Sequence, residues 1–489
     1  MPNQHKPLPP EPEIRESIEF YYHLNLDDPG IATQMKDHYD TEKYGLSVSS
    51  IKRLRRKWGL KSTRQQAHTL ESIAEAIQNI RQQYPSRGAE MIRKQLRVEL
   101  NMRVPRPLIM CYLNQTEPDA VKARRRRRFK RRRFYAAGVN DIWAMDQHDK
   151  WGPRFGLWLH NGIDPFIGIN NWLKVWWTNK NPRLIAKFFL DHVRKYGAIP
   201  LTTQSDPGSE NYGIANIQTR ARHELDPSLV GTLQHRWKRN KMNVKSEANW
   251  SVFRRDFAPG YEDLFESGVN AGYYNVDDIL ENLVFRWLAI PWLQSELDKW
   301  VIVRNRTPPR ANTKKVLPHG IPELMREKPE QFGALDFKIP VPTELIDRLE
   351  AEFAPPDHPV FQLTPPLFNQ RASAFYSSIG SPMITFRTFW DTYRQLLHCF
   401  RQDLETDHDE AMASLISSQR AHTQEVEEDS IPLMEGLREL WQGDQVVGAY
   451  NHDGDGSDYA SFTDDSDEES EANLQGVTLA LFASFFHTT

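Results

Sequence analysis

Three short stretches decide how this chain reads: WAMDQHDKW at 143–151, QSDPGSENYG at 204–213 and NVKSEANW at 243–250. Each holds one acidic residue in a setting unlike any other in the sequence, namely Asp146, Asp206 and Glu247. Phosphodiester cleavage and transfer need two cations about 3.5 to 4 Å apart, one at the attacking oxygen and one at the leaving oxygen. Carboxylates are the ligands that hard, octahedral Mg²⁺ prefers. The three acids therefore read as one metal-dependent phosphoryl-transfer site, with Asp146 bridging two ions, Asp206 completing one and Glu247 the other. For any one aspartate at a strand end, a turn or capping role is the ordinary alternative. Three in this order carry the metal reading.

The intervening sequence supplies seats for these residues. Ile142 to Asp146 has the composition of a short strand, followed by Phe155 to Ile163 and Ile167 to Trp177. Asn181-Pro182 offers an N-cap with proline at the first helical position, opening an amphipathic helix through Leu184, Ile185, Phe188, Phe189 and Val193 that Gly197 can close. Leu201 to Gln204 then predicts a further strand running into Asp206. Three strands, a helix, a strand and more helix is the order of a ribonuclease-H-like α/β layer, in which acids ending strands one and four meet at the centre. Beyond Glu247 the chain reads helical through Trp250, Phe253 and Phe257, then through VDDILENLVFRWLAIPWLQSELDKWVIVRN, where Pro291 is expected to kink or restart the helix.

The 489 residues allow two to four domains. A net charge of -3 conceals an asymmetry, with basic residues crowded before position 134 and acidic ones after Glu405. That split predicts a nucleic-acid-binding front half and a solvated acidic end. Cys111 and Cys399 alone exclude a disulfide framework and a Cys-rich zinc module, which fits a reducing compartment. The Pro-rich opening lacks a signal peptide's apolar run, and no stretch approaches a membrane span.

In the front half, SSIKRLRRKWGL places Ile51, Leu54 and Trp58 on one helical face and Lys52, Arg53, Arg55, Arg56 and Lys57 outward, with Ser47 or Ser49 as N-cap. A recognition helix against DNA has this layout, and so does a solvated amphipathic helix. Ile73, Ile77, Ile80 and Tyr84, then Ile92 and Leu96, then Ile109 and Leu113 predict a second helix-turn-helix-like unit. The run KARRRRRFKRRRFY, including Arg124, Arg127 and Arg131, reads as a nuclear import signal and as a phosphate clamp, two roles that can hold together.

The expected boundaries are a disordered 1–14, a helix-turn-helix at 15–66, a second helical unit at 67–121 and an Arg-rich linker at 122–135. A catalytic core with trailing helices at 136–330 follows, then a Pro-rich connector at 331–387, a helical region at 388–442 and an acidic disordered tail at 443–489. The fold class is α/β, a ribonuclease-H-like core with N-terminal helix-turn-helix units and a helical C-terminal extension.

From about Arg87 to Leu324 the chain resembles the DDE-type integrase core shared by retroviral integrases and insertion-sequence transposases, especially the integrase-core proteins of eukaryotic genomes. Trp143 and Asp146 match the family's first motif, with His148 and Lys150 as its basic continuation. Asp206, Gly208, Glu210 and Asn211 match Asp-x-Gly-x-Glu-Asn. Asn243, Glu247 and Trp250 match Asn-x-x-Ile-Glu-x-x-Trp, except that Ser246 stands where the family usually has isoleucine. The resemblance implies cleavage and strand transfer of a mobile element's DNA, two Mg²⁺ or Mn²⁺ ions, a homo-multimer holding two DNA ends, and work in the nucleus. It makes Glu210 a loop residue near DNA rather than the third ligand. DNA contacts are expected from Lys52, Arg53, Arg56, Arg124, Arg127, Arg131, His148, Lys150, Glu210, Asn211, Arg239, Asn243 and Lys245. His235, Arg236, Lys238, Arg239 and Lys241 read either as phosphate contacts or as a solvated basic loop. Asp164, in GIDP, reads as a turn former. The rival expectation is a decayed or host-retained relative that binds DNA without cutting it.

Overall fold

A computed structural model of the chain describes residues 6–125, 136–238, 243–309, 317–406 and 410–434. Arg127, Arg131, Arg239 and the acidic tail at 443–489 lie outside the described residues, as does the side chain of Arg124. Residues 1–129 belong to one compact unit, and most of the chain from 130 to 462 to another.

The described residues of the first unit hold helices and no strand, the longer ones being α1 (Glu11–His23), α2 (Asp28–Gln34), α3 (Val48–Lys57), α4 (Leu70–Gln83), α5 (Ala89–Leu100), α6 (Arg106–Thr116) and α7 (Pro118–Arg125). Ser47 caps α3 by accepting from the Ser50 amide at 3.1 Å. Ile51 and Leu54 are buried with Ile14, Ile18 and Ile31, while Ile73, Ile77, Ile92, Leu96 and Ile109 form the interior of α4 to α6. Tyr22 joins the two groups of helices. Its hydroxyl donates to the Lys61 carbonyl at 2.7 Å, and the Arg103 guanidinium lies 3.7 Å over its ring. One basic residue of α3 departs from the outward set: Arg55 is buried and pairs with Asp28. A guanidinium within reach of a half-buried carboxylate and the Leu60 carbonyl is better satisfied there than in an apolar interior without partners.

The second unit is built on a five-stranded sheet of β1 (Ile142–His148), β2 (Trp158–Asp164), β3 (Ile169–Trp176), β4 (Thr202–Ser205) and β5 (His235–Trp237), in the order β3-β2-β1-β4-β5. β1, β2 and β3 pair antiparallel, whereas β4 and β5 add in parallel beside β1. This is the expected ribonuclease-H-like α/β layer. The central strands are buried on both faces, as strands covered by helices must be. On one face lies α8 (Pro182–Tyr196), whose cap Asn181 accepts from the Arg183 amide at 2.8 Å, and which Gly197 ends at φ +75°. Trp143 packs its ring edge-on against Phe189 and His192 of that helix. α9 (Tyr212–Leu225) crosses the start of α8 so closely that a Cβ at Gly213 would lie 2.5 Å from the Pro182 carbonyl oxygen. The other face is covered by α10 (Val244–Asp256), α11 (Ala258–Asn270) and α12 (Ile279–Asn305).

The structure differs from the sequence expectation in further places, beginning with residues 11–14, which were expected to be disordered and instead open α1 with Ile14 fully buried. Strand two begins at Trp158 instead of Phe155, because Gly152–Phe155 coils into one helical turn that Gly156 ends at φ +68°. α12 continues unbroken through Pro291. Leu288, Ile290, Trp292 and Leu293 are all buried around it, and that packing offsets the roughly 3 kcal/mol an internal proline costs. The three residues of β5 extend the sheet where a basic loop was one reading. The Pro-rich segment holds α13 (Thr343–Phe353) and α14 (Pro366–Ser378), and it folds against the core. Glu350 accepts from Lys187 at 2.8 Å, and the Trp176 and Trp177 indoles donate to the carbonyls of Val360 and Gln362. Two longer helices follow, α15 (Phe389–Thr406) and α16 (Glu410–Glu428). No helix of the described residues is long and apolar enough to cross a membrane.

Candidate active site

Side chains alternate along β1, so Ala144, Asp146 and His148 share one face. His148 packs against Trp250 and Phe253 of α10 at ring distances of 5.0 and 5.7 Å. Asp146 therefore points to the side of the sheet that α10 covers. The parallel register pairs Ala144 with Gln204, and two further residues along each chain bring Asp206 level with Asp146. Glu247 lies in the first turn of α10, where the helix N-terminus favours an anion.

Asn243 fixes that helix start. Its Nδ2 donates to the Met145 carbonyl at 2.7 Å, and its Oδ1 accepts from Gln204 Nε2 at 3.1 Å, so one amide ties α10 to β1 and β4 at once. Asn211 does comparable work for the Asp206 loop, donating from Nδ2 to the Asp206 carbonyl and to Glu210 Oε1, each at 3.2 Å. The Asp146 carboxylate accepts the Gln147 amide at 3.0 Å.

The electrostatics of the three acids are joined. Burial, then the charges of Asp206, Glu247 and Asp149, hold the Asp146 carboxyl well above the usual carboxylate range. Burial and Glu210 push Asp206 up, and burial is also the main cause at Glu210, with Asp149 adding to it. Like charges gathered in a sheltered place resist ionisation unless a cation joins them. Asp206 adds a second sign: its Oδ1 is buried and has no hydrogen-bond partner among the described residues.

Among the described residues no three acidic, histidine or cysteine side chains are gathered closely enough to hold one ion. Mg²⁺ does not need three. It keeps several waters and takes one or two carboxylates plus substrate phosphates. Asp146, Asp206 and Glu247, which share one electrostatic field, are hard oxygen donors of the type such an ion takes.

The residues expected at DNA divide into two groups. Lys52, Arg53 and Arg56 are exposed on α3, Lys150 is exposed just past β1, and Lys245 and Glu210 are half-buried. His148, Asn211 and Asn243 are 6%, 2% and 0% exposed, and their expected role as DNA contacts is corrected. His148 is an aromatic packing residue, held neutral by burial with its pKa lowered to about 4, while the two asparagines brace the loops bearing the acids. His235 likewise turns inward, bonding Thr203 Oγ1 at 2.9 Å and Ser205 Oγ at 3.1 Å. Gln204 is the bracing residue that sequence reading missed. Its signal was a strand, TTQS, that is entirely polar yet sits at the heart of the sheet.

Asp164 has the turn-forming place expected of it. Its carboxylate accepts the amides of Asn140 at 2.7 Å and Phe166 at 2.8 Å.

Residues 134–321 match the family model for the integrase core domain. No curated protein matches the chain.

Proposed function

We propose, from the premise that residues 134–321 form an integrase core domain of the retroviral integrase superfamily, that the chain is a DDE-type integrase or transposase. Its reaction would be cleavage and strand transfer of a mobile element's DNA. The observation that carries the reading is the electrostatic company of Asp146, whose carboxyl is raised by burial and then by both Asp206 and Glu247. Asp146, Asp206 and Glu247 would hold the two Mg²⁺ or Mn²⁺ ions, which would supply Lewis acidity at the attacking and leaving oxygens. The chain's own part is to hold its acids in place through Asn243, Gln204 and Asn211, and to keep the layer beneath them dry with His148, Trp250 and Phe253. Water attacks a phosphodiester at the element end, and the freed 3′-hydroxyl then attacks target DNA in line. No covalent protein intermediate is required.

DNA is the partner this reading implies, met by the exposed Lys52, Arg53, Arg56 and Lys150 and by the Arg-rich run at 122–135. Two element ends call for a homo-multimer, and the same Arg-rich run suits import into the nucleus. A divalent-dependent strand-transfer assay tests the proposal. Joined products are expected from the wild type and none from Asp146→Asn or Glu247→Gln. Equal activity in those variants would overturn the site, and cleaved DNA without joined products would indicate a nuclease.

One observation favours a second reading, that of a decayed or host-retained protein that binds DNA without cutting it. The three carboxylates are not gathered about a single point. DNA binding by the wild type with neither cleaved nor joined products at any Mg²⁺ or Mn²⁺ concentration would select it.

A further inference from the structure

Away from the acids, a cleft of about 380 Å³ opens between the α12 side of the core and α16. Arg286 stands in it at 6% exposure. The Arg286 guanidinium lies 4.0 Å over the Trp177 ring and donates from Nη2 to the Gln362 carbonyl at 3.1 Å. Its Nε is buried with no hydrogen-bond partner, and no carboxylate among the described residues pairs with it. The other charged residues lining the cleft are Lys180, Arg420, Asp277 and Glu427, two of each sign. Lys180 pairs with Glu427 at 3.1 Å and lies over Trp158 at 5.2 Å, and Arg420 donates to the Asp277 carbonyl at 3.3 Å.

A buried cation without a counter-charge is costly, and burial alone draws Arg286 well below the usual arginine range. An anion entering the cleft would relieve that cost and meet Lys180 and Arg420 at the rim. The planar guanidinium fork matches a phosphate's paired oxygens. A recess of this size, near the lower bound for small-molecule sites, admits one or two phosphate groups and excludes the backbone of a duplex.

We infer that the cleft around Arg286 is a binding site for a small phosphorylated anion, separate from the carboxylate site. The phosphate groups bond Arg286 at the floor, with Lys180 and Arg420 above. The inference does not depend on the proposed enzymatic activity.

Inorganic pyrophosphate is the probe, titrated into the full chain in EDTA so that no divalent ion carries it to the acids. Tryptophan emission reads the binding, because Trp158 and Trp177 line the cleft. Saturable quenching is expected below roughly 1 mM. Arg286→Met, whose folding is checked by near-ultraviolet circular dichroism, should weaken it at least about tenfold. Thr423→Trp fills the cleft from α16, leaves Arg286 intact and should abolish binding, while Asp146→Asn should bind as wild type. An unsaturable wild-type response, binding unchanged in Thr423→Trp, or loss of binding in Asp146→Asn would each overturn the inference.

Discussion

The central sheet carries a sheltered aspartate toward each end, and the two have opposite company. Asp164, closing β2, is 1% exposed and surrounded by donors, with the amides of Asn140 and Phe166 on its carboxylate. Asp146, near the far end of β1, accepts one amide and otherwise faces the charges of Asp206, Glu247 and Asp149. Burial raises both carboxyls, so burial does not separate a structural acid from a functional one. The neighbours do. A carboxylate among amide donors closes a turn, whereas one among carboxylates has a need that only a cation or a proton meets.

The comparison can be broken most forcefully by removing charge at each end. Asp146→Asn and Glu247→Gln should lower strand transfer by on the order of a thousandfold, since metal-supported stabilisation is worth several kcal/mol. Their melting temperatures should match or exceed that of the wild type, because mutual repulsion is removed. Asp164→Ala should do the reverse, losing about 3 kcal/mol of stability in denaturant titrations as its amide donors are left unsatisfied. A stability loss at Asp146 equal to that at Asp164 would erase the distinction.

A pH series sharpens the structural end. The Asp164 carboxyl is pushed up to about 7 in the folded protein, from an ordinary value of 3.8, with burial as the cause. The folded state thus holds a proton that the unfolded chain releases. Its contribution is full at low pH and is lost as pH rises through about 7. Relative to Asp164→Asn, wild-type stability should fall by about 1.4 kcal/mol per pH unit between roughly 4 and 7, then level off. A flat difference across that window would show that the site does not favour the protonated acid.

The smallest expected effect lies in the helical unit. Arg56→Ala in the full chain should weaken duplex binding a few-fold and reduce the salt slope by about 1. Arg55→Ala should instead lower stability, because Arg55 pairs with Asp28 inside the unit. Exchanged outcomes would reassign the two faces of α3.

Much of the sheet was legible because its local signals agree with its tertiary place. Asn181-Pro182 and Gly197 bracket α8, Ser47 caps α3, and the apolar run that opens β1 marks the strand that bears Asp146. What escaped sequence reading depends on contacts distant in the chain. β5 is the three residues His-Arg-Trp, whose strand character comes from pairing with β4. The connector's prolines read as breaks, yet Pro366 opens α14 and Pro342 stands as the N-cap of α13, where a missing amide costs nothing. Asn211 and Asn243 were read as reaching outward to DNA because their motif gave no sign of direction. Both turn inward to satisfy backbone and side-chain groups beside the acids. His148 could have been read correctly from its two-residue offset from Asp146, which puts it under the apolar face of α10.

The central claim is that the acids at the Asp146 end, and not Asp164, form a cation site. Titration of Mn²⁺ into the full chain, with free ion followed by electron paramagnetic resonance, tests it directly when run on wild type, Asp146→Asn and Asp164→Asn. The account predicts saturable Mn²⁺ binding by the wild type, weakened at least about tenfold by Asp146→Asn and unchanged by Asp164→Asn. Equal binding by all three proteins, or a loss confined to Asp164→Asn, would contradict it.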